Sequence, residues 1–347
     1  MKVSWLSPRV FGQDLCSTTQ INLANGLIDK GHELRLYSPG EITDVSFIHI
    51  PVNRGSIRGL QSRSVVKSLN VHLDEINSSD VVLVDWPLHA IREKITVPVI
   101  IMDRSPPADR GIIAKLQWYS WKAAWRNAER GTTVSQEHRK FVNEQTDMPS
   151  ASISVIPAGV DIEKFKPGEK GGPLKLVYHG RVDVSRGVMS LPMILVGLQS
   201  EGIEATLHIH GSGNAVNRLK KIGLQGLEVT GKISQKKVAN LLSQYDVGLL
   251  PMPEDKVWNL ASPLKRSEYL SAGLVVCGID HTGHRLPDFG DWMQLYDQKE
   301  FIRSTVNWLS TLDRQLLTAH QKEARIYAKE KLHWSHSVDT LESTILS

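Results

Sequence analysis

The sequence is poor in cysteine and contains no long apolar run. Its two cysteines, Cys16 and Cys277, stand far apart and outside any C-x-x-C pattern, so neither a disulfide framework nor a cysteine-based zinc site is indicated. No run approaches the roughly 18 apolar residues that a membrane-spanning helix needs. The first residues, Met1–Leu6, also lack the apolar core of a secretory signal. These absences predict a cytoplasmic protein, free or peripheral on the inner membrane face, and disfavour a two-lobed solute-binding protein, which would carry a signal.

The sequence also lacks a large excess of either positive or negative residues. The 347 residues include 41 Lys and Arg against 37 Asp and Glu, a formal net charge of +4. So small an excess suits an anionic small molecule such as a nucleoside diphosphate, or an acidic membrane surface, and does not indicate nucleic-acid binding. A hydrophobic content of 41% is normal for a soluble globular chain, and the length suffices for two domains of ordinary size.

Alternating strands and helices open the chain. The apolar pattern predicts a strand at Val3–Leu6, a helix at Ser17–Lys30 and a second strand at Glu33–Ser38. A β-loop-α-β unit of this kind indicates a parallel sheet covered by helices. The first half of the chain is therefore expected to be an α/β domain.

Two aspartates follow predicted buried strands of this domain. Val81–Val84 precedes Asp85, and Val97–Met102 precedes Asp103. Because the carboxyl ends of parallel strands line the ligand site, both side chains are well placed to act there. Two interpretations stay open for Asp103, a reactive role and the cap of a following helix.

A predicted helix at 112–130 carries three tryptophans, Trp118, Trp121 and Trp125. Their spacing places them on one face, which is typical of a helix packed against a core. The same helix carries four basic residues, Lys115, Lys122, Arg126 and Arg130. Core packing is favoured, and contact with a membrane surface stays the alternative, because interfacial helices combine aromatic and basic side chains.

The most informative stretch, S-P-L-K-R-S-E-Y-L-S-A-G-L-V-V-C-G, begins at Ser262. Ser262 is predicted to cap a helix with Pro263 at its first position, and Gly273 is predicted to end that helix. A buried strand is expected at Leu274–Cys277. The start of the helix offers unpaired N–H groups and a partial positive charge, which suit a phosphate.

Lys265 and Glu268 stand three residues apart in this stretch, so they share one helix face. Glu268 lies too deep in the helix for a capping box, and a lone carboxylate there can accept hydrogen bonds from sugar hydroxyls. A capped helix with a surface Lys–Glu pair is an equally weighted alternative.

The pattern S-P-x-K-x-x-E-Y-x-x-A-G followed by an apolar strand resembles the nucleotide-sugar motif of the retaining glycosyltransferases of family four, the glycosyl transferases of group 1. The resemblance assigns the donor diphosphate to four consecutive residues, Ser262, Pro263, Leu264 and Lys265. It also implies that Glu268 holds the ribose hydroxyls. Many family members carry a second glutamate eight positions earlier, where this chain has Leu260, so only half of that E-x7-E pattern is matched.

Further motifs of this family recur in order. V-I-P-A-G-V-D at Val155–Asp161, followed by F-K-P, is similar to the family's I-P-N-G-V-D-x-x-x-F-x-P. G-R-V-D-V-S-R-G, which begins at Gly180, resembles G-R-L-x-x-x-K-G, whose two cations neutralise the donor diphosphate. The resemblance gives that role to Arg181 and to Arg186, an arginine where lysine is usual.

Three weaker matches concern loops that face the donor in the family. Gly12 stands where paired glycines often face the donor phosphates, and Gly211 belongs to a partial G-x-G loop after a predicted strand. V-T-G-K-I, which contains Lys232 and Ile233, resembles the segment that receives the nucleotide base.

The resemblance implies the α/β fold class GT-B, with two Rossmann-like domains that face a central cleft. Residues 1–168 are expected to form the acceptor domain and 169–325 the nucleotide-sugar domain. Residues 326–347 are expected to form a helix that crosses back to the first domain. The polar Gly- and Pro-rich segment Gly168–Pro173 is the predicted linker.

The implied reaction moves a sugar, with retention at the anomeric carbon, from a nucleoside diphosphate sugar to a hydroxyl of a glycan, lipid or small molecule. UDP is favoured over GDP. The residues expected to carry the reaction are Arg181, Arg186, Glu268 and Asp103. Two cations and a helix start can neutralise the leaving diphosphate, and the sequence has no D-x-D pattern, so no metal or other cofactor is expected. A catalytically lapsed nucleotide-sugar binder and a sugar-nucleotide 2-epimerase stay as alternatives.

Overall fold

Two parallel sheets organise the residues that the computed structural model describes, namely 1–11, 17–57, 59–107 and 111–347. One unit comprises Met1–Pro157 and Trp334–Ser347, and the other comprises Ala158–His333. These boundaries differ from the sequence-based ones, 168/169 and 325/326, because core residues of the second unit lie beyond both. Val160 and Phe165 pack into that core at one end and Leu332 packs into it at the other.

The first unit contains a seven-stranded sheet in the order β3-β2-β1-β4-β5-β6-β7. Its strands are β1 Lys2–Leu6, β2 Glu33–Ser38, β3 Ile48–Pro51, β4 Val81–Asp85, β5 Val99–Met102, β6 Arg130–Thr133 and β7 Ile153–Val155. All neighbouring pairs are parallel. The central strands β4 and β5 are apolar and fully buried, as expected when helices cover both faces of a parallel sheet.

Helices connect these strands. Their bounds are α1 Ser17–Asp29, α2 Gln61–Leu69, α3 Leu73–Asn77, α4 Gly111–Arg126 and α5 Gln136–Thr146. A 3₁₀ helix, Trp86–Lys94, follows β4. The predicted α/β arrangement of this half is confirmed.

Two predicted features of the first unit are wrong in detail. The tryptophan helix ends at Arg126, and Arg130 already belongs to β6, because Gly131 packs beneath the Trp125 ring: a Cβ on Gly131 would lie 2.4 Å from that ring. The resemblance also predicts, from the V-S at its end, that Thr132–Ser135 is the strand that closes the first domain. That prediction is wrong, since β7 pairs beside β6.

The second unit contains a six-stranded parallel sheet in the order β10-β9-β8-β11-β12-β13. Its strands are β8 Leu174–Arg181, β9 Ala205–Ser212, β10 Leu227–Thr230, β11 Val247–Leu250, β12 Val275–Ile279 and β13 Met293–Tyr296. Its helices are α6 Leu191–Ser200, α7 Val216–Lys220, α8 Gln235–Leu242, α9 Lys256–Asn259, α10 Leu264–Ser271, α11 Phe301–Ser310 and α12 Arg314–Lys331. The chain then returns to the first unit as α13 Trp334–Leu346, which packs against α1.

Among the described residues, no helix combines the length and the apolar character needed to cross a membrane.

Candidate functional site

The motif residues of the second unit meet at the carboxyl edge of its sheet. Gly180 and Arg181 are the last residues of β8 and pair with Gly211 and Ser212 at the end of β9. The start of α10 lies beside them, because the Lys265 Nζ atom is 3.4 Å from the point where a Cβ on Gly180 would stand. In an open parallel α/β sheet, ligands bind at this edge.

The start of α10 is free of side-chain caps. The helix begins at Leu264 with Pro263 in the N-cap position, and no described side chain caps it. The predicted Ser262 cap is therefore wrong: the extended Pro263 separates Ser262 from the helix, and the Ser262 hydroxyl accepts a hydrogen bond from the Ala158 N–H at 3.0 Å. The N–H of Arg266 donates to the Pro263 carbonyl at 3.2 Å. The N–H groups of Leu264 and Lys265 precede it, and no described side chain caps them, which suits an anion.

The end of α10 is fixed as predicted. Gly273 has φ +67, and the N–H of Leu274 donates to the Tyr269 carbonyl at 2.9 Å, which is the Schellman arrangement. The buried β12 follows at Val275–Ile279, one residue later than predicted. The prediction that Gly273 stops the helix is confirmed.

Gly180 and Gly211 permit the close approach of β8 and β9 at the site. Gly180 has φ +121, a conformation that disfavours other residues. A Cβ on Gly211 would lie 1.8 Å from the Gly180 carbonyl oxygen. Both glycines therefore have a backbone reason to be there, and Gly180 lies beside Lys265.

Lys265 is the most perturbed cation of this edge. Its Nζ lies 4.4 Å from the centre of the Tyr178 ring and donates to the Tyr178 hydroxyl at 3.3 Å. The Tyr178 hydroxyl in turn donates to the Arg181 carbonyl at 2.7 Å. Burial, and then the charge of Arg186, lower the pKa of Lys265 to about 7, whereas Glu268 acts in the opposite direction. A neighbouring anion would therefore stabilise the charged form of this lysine.

The two arginines of the predicted diphosphate motif differ in their surroundings. Arg181 has a side chain that is 51% exposed, and its Nε and Nη2 donate to Asp183 Oδ2 at 3.0 and 2.9 Å. Arg186 places its guanidinium 4.5 Å from the centre of the Trp258 ring. Arg186 and Lys265 both contact the side chain of Tyr178, so these two cations lie close together.

Glu268 lies one turn deeper in α10. It is 5% exposed, and its Oε2 lies 3.1 Å from His179 Nε2. The backbone N–H of His179 also donates to the Tyr269 hydroxyl at 3.2 Å. The sequence analysis missed His179, although its place between the apolar run Leu176–Tyr178 and the glycine of the Gly180 motif is the signal that could have found it.

Lys232 and Ile233, the residues predicted to meet the base, lie further along this edge. They follow β10, which is separated from β8 by β9. Lys232 is exposed, whereas Ile233 packs partly against the core. The sequence analysis did not single out the histidine that stands between them and the cations. His210 has Nδ1 2.6 Å from Thr230 Oγ1 and Nε2 2.8 Å from the Tyr245 hydroxyl.

Asp103, the predicted reactive residue of the first unit, is fully buried. The indole N–H groups of Trp121 and Trp125 donate to its Oδ2 at 2.6 and 2.9 Å, and His138 Nε2 lies 3.3 Å away. Burial raises its pKa, but these contacts outweigh that effect and hold the pKa below the usual range. The structure thus places Asp103 in the core of the first unit, and Gly12 lies outside the described residues.

The tryptophan face of α4 packs inside the first unit. Trp121 and Trp125 are fully buried, and Trp118 contacts Trp121 and Phe141 with ring centres 5.4 and 5.9 Å apart. Core packing, favoured over membrane contact, is therefore what the structure shows for this face.

Comparison with known proteins shows which families and folds this chain is similar to. Residues 17–164 match the family described as Glycosyltransferase Family 4. Among solved structures, sucrose-phosphate synthase from Thermosynechococcus elongatus is 13% identical with a TM-score of 0.78, covering 99% of this chain and 97% of its own. Anabaena HepE in complex with UDP and glucose is 12% identical with a TM-score of 0.72, covering 100% and 99%. Among curated protein sequences, none matches. These likenesses confirm the GT-B fold.

Proposed function

We propose that this chain, a glycosyltransferase that carries a Glycosyltransferase Family 4 domain in a GT-B fold, transfers a sugar from a nucleoside diphosphate sugar with retention at the anomeric carbon. UDP is the favoured nucleotide and GDP the second. The acceptor is a hydroxyl of a glycan, a lipid or a small molecule. The observation that carries the proposal is that Arg186 and Lys265 both contact Tyr178 beside the start of α10, which no described side chain caps.

The leaving diphosphate is the group that these cations suit. Negative charge grows on the diphosphate as the bond to the sugar breaks, and fixed positive groups stabilise that charge most when they are already in place. Lys265 is held by Tyr178, and Arg181 by Asp183. In the proposed scheme, the leaving phosphate takes the proton of the acceptor hydroxyl on the same face of the sugar, so that the configuration is retained.

Glu268 is proposed to accept hydrogen bonds from the ribose hydroxyls. Its carboxylate is nearly buried one turn below the helix start, and His179 contacts one of its oxygens. A carboxylate held this way keeps acceptor capacity for a hydroxyl donor. The HepE complex with UDP and glucose, a structure of the same fold, favours UDP as the first nucleotide to test.

We propose that no metal or other cofactor takes part. Arg181, Arg186, Lys265 and the start of α10 supply the positive charge that a divalent cation would otherwise bring to a diphosphate. Turnover is therefore expected to persist in excess EDTA. Loss of turnover with chelator that magnesium or manganese restores would contradict this part of the proposal.

Peripheral contact with an acidic membrane surface is proposed for the outward face of α4, in a cytoplasmic protein. Leu116 and Tyr119 are 67% and 79% exposed there, beside the exposed Lys115 and Arg126, and α4 contains no acidic residue. Apolar and basic side chains together suit anionic lipid headgroups. Co-sedimentation with phosphatidylglycerol vesicles, but not with phosphatidylcholine vesicles, is the expected result, and equal recovery with both would contradict it.

The nucleotide is tested by calorimetry with UDP, GDP, ADP and CDP, followed by turnover of the matching sugar donors with a mixed acceptor extract. Binding of UDP and release of UDP from a UDP-sugar only when acceptor is present are expected. Binding without turnover would favour the lapsed binder. Conversion of the donor sugar without acceptor would favour the 2-epimerase, and no binding of any diphosphate would contradict the proposal.

A further inference from the structure

Arg186 rests against an aromatic ring that no motif of the sequence indicated. Its guanidinium lies 4.5 Å from the centre of the Trp258 ring, and both side chains are half-buried. Trp258 belongs to α9, the short helix between β11 and α10. A planar cation over an indole ring is attracted to it and loses orientational freedom.

The backbone of Trp258 is itself fixed from two sides. Asp255 caps α9, because its Oδ1 accepts from the Val257 N–H at 3.0 Å. On the other side, a Cβ on Gly283 would lie 1.9 Å from the Trp258 carbonyl oxygen, so the loop after β12 packs directly against α9. The Thr282 hydroxyl also donates to the carbonyl of Asn259 at 2.8 Å.

The loop after β12 is held by α10, the helix whose start carries Lys265. Arg266 is 4% exposed, and its Nη1 donates to the carbonyls of Gly283, His284 and Arg285 at 3.0, 3.0 and 2.9 Å. A continuous series of contacts therefore runs from α10 through this loop to α9 and on to Arg186.

We infer that Trp258 is a positioning residue for Arg186, which holds the guanidinium beside Lys265 so that both cations meet one diphosphate. The inference rests on the proposed function and deepens it. It also explains the arginine at a position where lysine is usual in the resembled motif: a guanidinium can lie flat on the indole and still present N–H groups at its edge, whereas an ammonium is a point charge.

The test is a double-mutant cycle in the full chain. Trp258→Leu, Trp258→Phe and Arg186→Ala are made singly, and Trp258→Leu is combined with Arg186→Ala. Calorimetry measures the affinity for UDP and, separately, for uridine, which lacks the diphosphate. Trp308→Leu is the matched control, since Trp308 is a half-buried tryptophan of the same unit that contacts His320 instead.

Trp258→Leu is expected to weaken UDP binding about three- to tenfold, the size of one cation–π contact. Uridine binding should not change, and Trp258→Phe should keep most of the UDP affinity. In the Arg186→Ala background, Trp258→Leu should have almost no further effect, because Trp258 acts through Arg186. Trp308→Leu should bind UDP as the unchanged protein does.

Each contrary outcome has its own meaning. If Trp258→Leu weakens UDP equally with and without Arg186, or weakens uridine as much as UDP, Trp258 does not act through Arg186 and the inference is overturned. If Arg186→Ala weakens UDP while Trp258→Leu does not, the inference fails and the proposed function stands. If the unchanged protein binds neither UDP nor GDP, the proposed function fails, and the inference falls with it.

Discussion

Charged side chains stand at the carboxyl edges of both sheets, but their surroundings differ. In the first sheet, Asp85 ends β4 and Asp103 follows β5, and internal donors occupy both carboxylates. Asp85 accepts from the Trp5 indole at 3.1 Å and from the Ser7 hydroxyl at 2.6 Å. In the second sheet, Arg186 and Lys265 stand close together at the edge, where burial and then the charge of Arg186 lower the pKa of Lys265.

The carboxyl end of a strand can therefore hold a functional side chain or a purely structural one. A buried carboxylate whose oxygens are already hydrogen-bonded contributes to the fold. Two like charges near a helix start repel each other in the free protein, and a bound anion offsets that repulsion. The predictions below test this contrast.

The largest effect is expected at the second edge. Lys265→Met should lower the transfer rate about a hundredfold to a thousandfold, because a preorganised donor to the leaving diphosphate is lost. Arg181→Ala should fall in the same range. Stability should be nearly unchanged for both, which thermal unfolding measures. Lys220→Met, an exposed lysine of α7, is the control, and a near-normal rate for Lys265→Met would remove the contrast between the edges.

At the first edge we expect a substitution to lower the stability and to leave the UDP affinity unchanged. Asp103→Ala leaves two indole N–H groups without a buried acceptor, so the free energy of unfolding should fall by about 3 kcal/mol. UDP affinity at a temperature where the variant is folded should not change. Denaturant unfolding and calorimetry check both. A stable Asp103→Asn protein that binds UDP but has lost transfer would show that this edge is reactive after all.

An intermediate effect is expected at Glu268. Glu268→Ala should weaken UDP by about 1–3 kcal/mol, because the ribose hydroxyls lose a buried acceptor. The same variant should no longer distinguish UDP from 2′-deoxy-UDP. Glu201→Ala, an exposed glutamate of the same unit, is the control. Unchanged UDP affinity in Glu268→Ala would show that the ribose lies elsewhere.

Local sequence signals predicted the strands and the helix end that form the two edges. Apolar runs such as Val81–Val84 predicted parallel strands because both faces of such strands are covered. The prediction that α10 ends at Gly273 holds because a glycine at positive φ stops a helix by local geometry. The arginine that ends β8 and the one that follows it were predicted from their motif, and the structure brings Arg186 close to Lys265.

Contacts between distant residues were beyond local signals. The partner of Ser262 is Ala158, 104 residues away, so the hydroxyl that seemed free to cap α10 is already used. The contact of His179 with Glu268 and that of Trp258 with Arg186 also join separate elements. The surroundings of Asp103 could not be predicted for the same reason, since its contacts come from the next helix and from His138 beyond β6.

The smallest expected effect is a fall in UDP affinity with rising pH, which we attribute to the titration of Lys265. With its pKa near 7 in the free protein, this lysine is charged below pH 7 and largely neutral above it. A bound diphosphate favours the ammonium, so UDP binding above pH 7 must be accompanied by uptake of one proton. Affinity should therefore fall as pH rises, by up to about tenfold per unit between pH 7 and 8.5.

The hydroxyl of Tyr178, which contacts Lys265, does not reverse this pH dependence of the UDP affinity. Burial raises the pKa of Tyr178 to about 12, so its hydroxyl stays neutral in this range. Calorimetry in buffers of different ionisation enthalpy counts the protons taken up. Lys265→Arg should bind UDP with no such uptake, because a guanidinium remains protonated. An unchanged protein whose UDP affinity is flat from pH 7 to 8.5 would show that Lys265 does not meet the diphosphate, and the second edge would then resemble the first.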